Sequence, residues 1–256
     1  MNIFFDKYQG TGNDFILIDD RALKFPVNKN LVKSLCNRHN GIGSDGLILI
    51  QNSIKANFKM VYYNSDGKKG SFCGNGSRCA ISFANRLYRF FWTIIQSSLF
   101  RYSPKNFFNF RNLLLKIFGA KIGKNTHIYN GVNIWSPMNL IVGNNVGIAN
   151  EVYLYNIDKI IIDDHVDVSH GSSLFTGSHD YNDKNFQLIA KPIILKKKVW
   201  ICAECFIHPG VKINEGCVVG ARSVVTKSIN DEYGVFAGNP AKFIKKRKKF
   251  SENNLQ

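Results

Sequence analysis

The sequence predicts a mainly β chain in which a β-solenoid fills the larger, C-terminal part and a segment of a different kind comes first. Two observations carry this. Between Leu195 and Val225 an aliphatic residue stands at every sixth position (Leu195, Ile201, Ile207, Ile213, Val219, Val225), and nothing before Leu87 follows that period. A helix repeats its apolar face every ~3.6 residues and a strand every second residue. A six-residue period instead suits a chain wound in short straight faces around a narrow core.

The segment before Leu87 is marked by four motifs: Gly10–Phe15 (GTGNDF), Arg38–Gly46 (RHNGIGSDG), Asn64–Lys68 (NSDGK) and Cys73–Cys79 (CGNGSRC). The run Cys79–Leu87 reads as a helix. Leu87–Phe100 is aromatic and apolar but far shorter than the ~20 residues that cross a bilayer. It fits a membrane interface or a helix packed over the first coil, and the second reading is favoured because an uncapped solenoid end exposes apolar core.

The hexad phase then runs through Ile122, Ile128 and Ile134, through Val142, Ile148 and Leu154, and through Ile162, Val168 and Leu174, with a register slip between sets. A second series, Val199, Cys205, Val211, Cys217 and Ser223, supplies the small partners. Phe175–Pro192 breaks the repeat and is expected to leave the stack as a loop. Rigid coils leave chemistry to such excursions, so His179 stands out.

Composition fits a soluble core: 256 residues, 45% hydrophobic. The net charge of +16 includes the run Lys242–Lys249 and suits anionic ligands, a phosphate-bearing small molecule or an acidic membrane surface among them, as well as a solvated lysine-rich tail. No helix-turn-helix, zinc-finger or stacking pattern accompanies it, so no nucleic-acid partner is expected. Six irregularly spaced cysteines suggest a reduced compartment. Cys202 and Cys205 form a CxxC pair that the solenoid itself explains, Cys217 reads as a core residue, and no metal is expected. The opening residues lack a secretory pattern, which makes the cytoplasm the expected location.

From about Arg111 to Lys245 the chain resembles the hexapeptide-repeat O-acetyltransferases of the maltose, galactoside and colanic-acid type. The resemblance rests on Leu113–Gly123 (LLLKIFGAKIG), Thr176–Asp180 (TGSHD), Lys191–Ile193 (KPI), Val199–Ile201 (VWI), His208–Ile213 (HPGVKI), Gly220–Lys227 (GARSVVTK) and Ala237–Lys242 (AGNPAK). It implies a left-handed parallel β-helix, acetyl-CoA as acyl donor, a sugar or polysaccharide-precursor hydroxyl as acceptor, and a homotrimer with sites between subunits. The four earlier motifs resemble the N-terminal half of diaminopimelate epimerase, a cofactor-independent enzyme with two α/β lobes and one catalytic cysteine on each. The expected organisation is a partial epimerase-like lobe (1–86), an aromatic capping segment (87–110), the acyltransferase β-helix (111–245) and a basic polar tail (246–256).

Acyl transfer needs a base to take the hydroxyl proton as the oxygen attacks a thioester, and an imidazole does this best. The resemblance assigns that role to His179 over His165, His170 and His208, with Asp180 or Asp158 to orient the ring. It places amides near Ala203 and Ala221 along pantetheine, Thr226, Lys227, Lys242 and Lys245 near the nucleotide end, and Trp200 at the acceptor pocket. On the epimerase side, Cys73 would be one of two catalytic thiols. Asn13 and Asn64 would hold substrate, and Gly74, Asn75 and Gly76 would cup its carboxylate at a helix N-terminus, whose field also lowers a thiol pKa. The second thiol's motif is missing and Gly46 stands where many members have Gln. The fragment is therefore not expected to epimerise, and because it lacks the strands that would complete its own lobe it is expected to be loosely folded.

Three functions follow: an acetyl-CoA-dependent O-acetyltransferase carrying an inert epimerase fragment; an epimerase, if another chain supplies the missing lobe; and a non-catalytic trimeric scaffold. His179, its loop and the terminal basic motif favour the first.

Overall fold

Phe15, Ile16, Leu17 and Ile18 are buried in succession, which a strand achieves only when both of its faces are covered. The computed structural model describes residues 3–10, 12–53, 58–70, 73–182 and 188–248. It divides into two units, Met1–Phe91 and Trp92–Gln256.

In the former unit β1 (Asp6–Gly10), β2 (Asn13–Asp19), β3 (Gly46–Gln51) and β4 (Lys59–Asn64) form one sheet in chain order. The central β2–β3 pair is parallel and the outer pairs are antiparallel. Ile16, Ile18, Leu47 and Leu49 pack with Val32 and Cys36 of α1 (Lys29–Cys36). Phe15, Leu17, Ile48 and Ile50 face the other way, onto Cys79, Ala80 and Phe83 of α2 (Gly74–Ile95). Asn28 caps α1 by accepting the Asn30 N–H at 2.8 Å. The expectation of a loosely folded fragment is thus corrected: one sheet with a helix on either side supplies two apolar layers without the rest of a lobe. The helix read over Cys79–Leu87 is longer than its pattern announced and begins beside Cys73.

The unit from Trp92 onward is a parallel β-helix of three sheets. The first contains Lys121–Ile122, Leu140–Val142, Ile160–Ile162, Ile193–Leu195 and Lys212–Ile213; the second runs from His127–Ile128 to the terminal hairpin Gly234–Gly238 and Ala241–Lys246; the third runs from Asn133–Ile134 to Val224–Val225. Every member of the hexad series points inward and is at most 8% exposed. The register explains the slips: Ile122 pairs with Val142 and Val142 with Ile162, twenty residues apart, whereas Leu195 pairs with Ile213, eighteen on. The longer coils spend their additional residues between the third and first sheets. There Asn156 is buried, receives the Ser136 N–H at 2.9 Å and donates to the Ser136 carbonyl at 2.6 Å.

Two of the three corners turn through left-handed backbone in almost every coil, and Gly210 does so once at the other, with φ 79°. Asn125, Asn145, His165 and Lys198 hold φ between 52° and 61° at one, and Gly216 continues the column at 69°. Glu151, Gly171, Glu204 and Arg222 do the same at the next. His165 is therefore a corner residue.

The open end of the first coil carries unpaired strand edges, and polar side chains of an otherwise apolar segment satisfy them. Trp92 Nε1 donates to the Ile134 carbonyl at 2.7 Å and Gln96 Oε1 accepts the Ile134 N–H at 2.7 Å. Arg111 and Asn112 of α3 (Phe108–Ile117) donate to the Ile128 and Thr126 carbonyls, both at 2.7 Å. Trp92, Phe100 and Leu115 close the core beneath them. This segment packs over the first coil, as favoured from the sequence. Among the described residues no helix is long and apolar enough to cross a membrane.

Candidate active site

The excursion after Phe175 leaves the stack where the chain passes from the third sheet to the first. Gly177–His179 pairs antiparallel with Leu188–Ala190, so the expected loop is a hairpin at its base; residues 183–187 lie outside the described residues. Thr176 anchors it: this buried hydroxyl donates to the Tyr155 carbonyl at 3.0 Å and accepts the Asp158 N–H at 2.9 Å. His179 is exposed on the hairpin opposite Leu188. Asp180 receives the Asn182 N–H at 2.9 Å in an Asx turn, and Asp158 receives that of the adjacent Lys159 at 2.6 Å.

The same corner carries His208-Pro209-Gly210 one coil on and Thr226-Lys227 on the next, because Phe175, Ile207 and Val225 end successive strands of the third sheet. Gly210 N–H bonds the Lys191 carbonyl at 3.3 Å, tying this turn to the returning arm of the hairpin. The structure thus aligns the His179 hairpin, His208, Thr226 and Lys227 along one edge. Ala203 and Ala221 stack at the corner between the second and third sheets, where Arg222 N–H bonds the Ala203 carbonyl at 2.9 Å. Lys242 and Lys245 are exposed on the terminal strand, opposite Ala237 and Val235.

Trp200 is not brought to His179 within one chain. It stands 46% exposed on the second sheet between Asp167 and Val218, with its indole N–H on Ser169 Oγ at 3.0 Å. The third-to-first corner lies across the prism from that sheet.

The cysteines of this unit behave as core. Cys205 and Cys217 are buried, with thiols 3.1 Å from the Gly220 and Asp231 carbonyls, and burial pushes both thiols up, as it does Cys202. The pattern-based reading passed over Arg222, whose guanidinium sits 2.6 Å from Glu204 at the Ala221 corner. It also missed an outward aromatic ladder on the third sheet, where Tyr153, Tyr155, Phe175 and Phe206 lie 5.0–6.0 Å apart. Their signal was visible as ring-bearing neighbours of the buried hexad residues.

In the former unit the predicted cluster assembles in part. Gly76 N–H points at Cys73 Sγ, 3.3 Å away, at the start of α2. Asn75 donates to Asn13 at 2.9 Å, and Asn13 donates to Asp45 at 3.2 Å. Asn64 instead accepts the Tyr62 hydroxyl at 2.7 Å. Tyr62, which no motif announced, packs with Cys73 on one cluster, and burial raises its phenol. It also accounts for Gly46: a Cβ there would meet the Tyr62 ring at 2.6 Å. Gly74 is exposed, with open space where a side chain would be.

The diaminopimelate epimerase family matches residues 5–88. A diaminopimelate epimerase of Flavobacterium psychrophilum is 58% identical over 82 residues, 32% of either chain, so this chain spans about a third of that enzyme's length. A putative colanic acid biosynthesis acetyltransferase, WcaF, of Escherichia coli K12 is 41% identical over 156 residues, covering 61% of this chain and 85% of the relative. Among solved structures, a galactoside acetyltransferase in complex with coenzyme A superposes with a TM-score of 0.53 at 25% identity, covering 64% of this chain and 82% of its own.

Proposed function

Because this chain belongs to the hexapeptide-repeat acetyltransferase family of its WcaF relative, we propose that it transfers an acetyl group from acetyl-CoA to a hydroxyl of a saccharide, with His179 as general base. The observation that carries the reading is the position of His179: exposed, on a hairpin anchored by buried Thr176, along the edge that bears Thr226 and Lys227. An imidazole nitrogen takes the acceptor hydroxyl proton as the oxygen attacks the thioester carbonyl. The C–O bond forms, the C–S bond breaks, and the proton passes to the departing sulfur.

Coenzyme A is supported by the galactoside acetyltransferase likeness. In this proposal the amides near Ala203 and Ala221 line pantetheine, and Thr226, Lys227, Lys242 and Lys245 meet its phosphates. Trp200 walls the acceptor pocket. Since Trp200 and the His179 hairpin lie on opposite sides of one prism, a pocket holding both takes them from two copies, which supports the homotrimer. A cytoplasmic location belongs to the same proposal and is supported by six free thiols. Residues 1–86 are assigned no epimerase activity of their own, since the motif that carries the second catalytic thiol is missing from the sequence.

His179→Ala tests the base. Coenzyme A release with an acceptor sugar is expected to fall by about 10²–10⁴, with the melting temperature unchanged because the side chain is exposed. Near wild-type turnover would assign the base to another group.

A further inference from the structure

Helix α3 buries two polar side chains beside its core residue Leu115 and exposes several apolar ones. Its inward face carries Arg111, fully buried, and Asn112, 7% exposed, while Phe110, Leu113 and Ile117 point outward at 37%, 55% and 67% exposure. The register is fixed by hydrogen bonds: Arg111 donates to the Ile128, Pro104 and Lys105 carbonyls and to Ser103 Oγ at 2.6–2.8 Å, and Asn112 to the Thr126 carbonyl. Rotating the helix to hide its apolar residues would strand a guanidinium and several carbonyls, which costs more than exposing three side chains. The outward face continues into an open apolar groove lined by Leu99, Tyr102, Phe107 and Phe110. A contiguous exposed apolar face of this kind marks an interaction surface.

We propose that this face docks on a membrane surface rich in anionic lipid, lying in the interface without crossing it. Charge selects this occupant. No aspartate or glutamate occurs between Asp66 and Glu151, and Arg101, Lys105 and Lys116 are exposed charges of the segment that forms the face. A second copy docked through the same face about a two-fold axis would set these cations against their own kind, whereas a layer of lipid phosphates matches them, each cation contributing about fivefold in partitioning. Tyr102, 82% exposed, and the phenylalanines suit the headgroup boundary, and Lys105 and Lys116 have aliphatic stems long enough to lie along it. The inference does not rest on acetyl transfer, and its test reads lipid binding alone.

The full chain is sedimented with vesicles made half of phosphatidylglycerol and half of phosphatidylcholine, and with pure phosphatidylcholine vesicles. Partitioning onto the anionic vesicles is expected to exceed that onto neutral ones by about a hundredfold and to weaken with salt. Leu113→Ser combined with Ile117→Ser should lower it by about tenfold. Lys105→Glu combined with Lys116→Glu should erase the preference for phosphatidylglycerol. All four positions are exposed, so both variants should melt with the wild type and release coenzyme A equally well in solution. Three results would overturn the proposal: no association with anionic vesicles, association that both variants leave unchanged, or a drop in sedimenting mass caused by the serine pair, which would make the face a contact between copies.

Discussion

Asp14 loses its proton far more readily than a free aspartate, chiefly because Arg38 donates to it at 2.6 and 3.1 Å, with Lys7 adding a cation at 3.0 Å and partial burial opposing both. A carboxyl whose folded pKa is depressed stabilises the fold at pH values above its unfolded pKa, about 3.9. That contribution fades as pH falls through the folded value. The melting temperature of the unit Met1–Phe91 is therefore expected to decline as pH drops below about 4. Asp14→Asn should flatten this dependence most, because Asp19 and Asp45 are depressed less. An unchanged slope in that variant would show that Asp14 remains paired in the unfolded chain. Cys73 shows the limit of a residue in isolation: its motif was plain in the sequence, but the Asn75–Asn13–Asp45 chain beside it joins residues from three separate motifs.

At the scale of elements, the solenoid concentrates its stability in one inward side chain per strand. Ile207 is fully buried between Leu174 and Val225 in adjacent coils. Ile207→Ala should cost about 2–5 kcal/mol, because rigid coils above and below cannot collapse into the cavity. Lys212→Ala, on an exposed position of the next coil, should stay within about 0.5 kcal/mol. Denaturant midpoints at equal slope measure both, and equal losses would mean that the coils do not pack as independent layers. The hairpin is a different kind of element. It has one anchored threonine and an exposed arm, so its geometry can serve a reaction without disturbing the stack.

For the whole molecule, the two units keep separate cores: sheet and helices in one, stacked hexads in the other. Coils contact mainly their neighbours, and the first coil is capped by Trp92, Phe100 and α3, all C-terminal to Leu87. A chain beginning at Leu87 is therefore expected to fold, to assemble as the proposed trimer and to keep coenzyme A release within about twofold of the full chain. Sedimentation as an unfolded or monomeric species would show that residues 1–86 take part in assembly.

The sequence by itself determined the solenoid and its interruption. A six-residue period means the same thing in every coil, so burial of Ile122 or Val225 depends on local spacing and not on a distant partner. For the same reason the excursion that bears His179 was legible: it is the long stretch between Leu174 and Leu195 that the period cannot absorb. Only the tertiary structure decided the orientation of α3, the partner of Asn13, the need for glycine at position 46 and the separation of Trp200 from the hairpin. Each depends on a group remote in sequence: unpaired carbonyls at a strand edge, a tyrosine ring from another strand, or the opposite side of a three-sheet prism. Hydrophobic patterning alone turns Arg111 outward. The carbonyls of Ile128, Pro104 and Lys105 turn it in, because a buried acceptor left unpaired costs more than an exposed leucine.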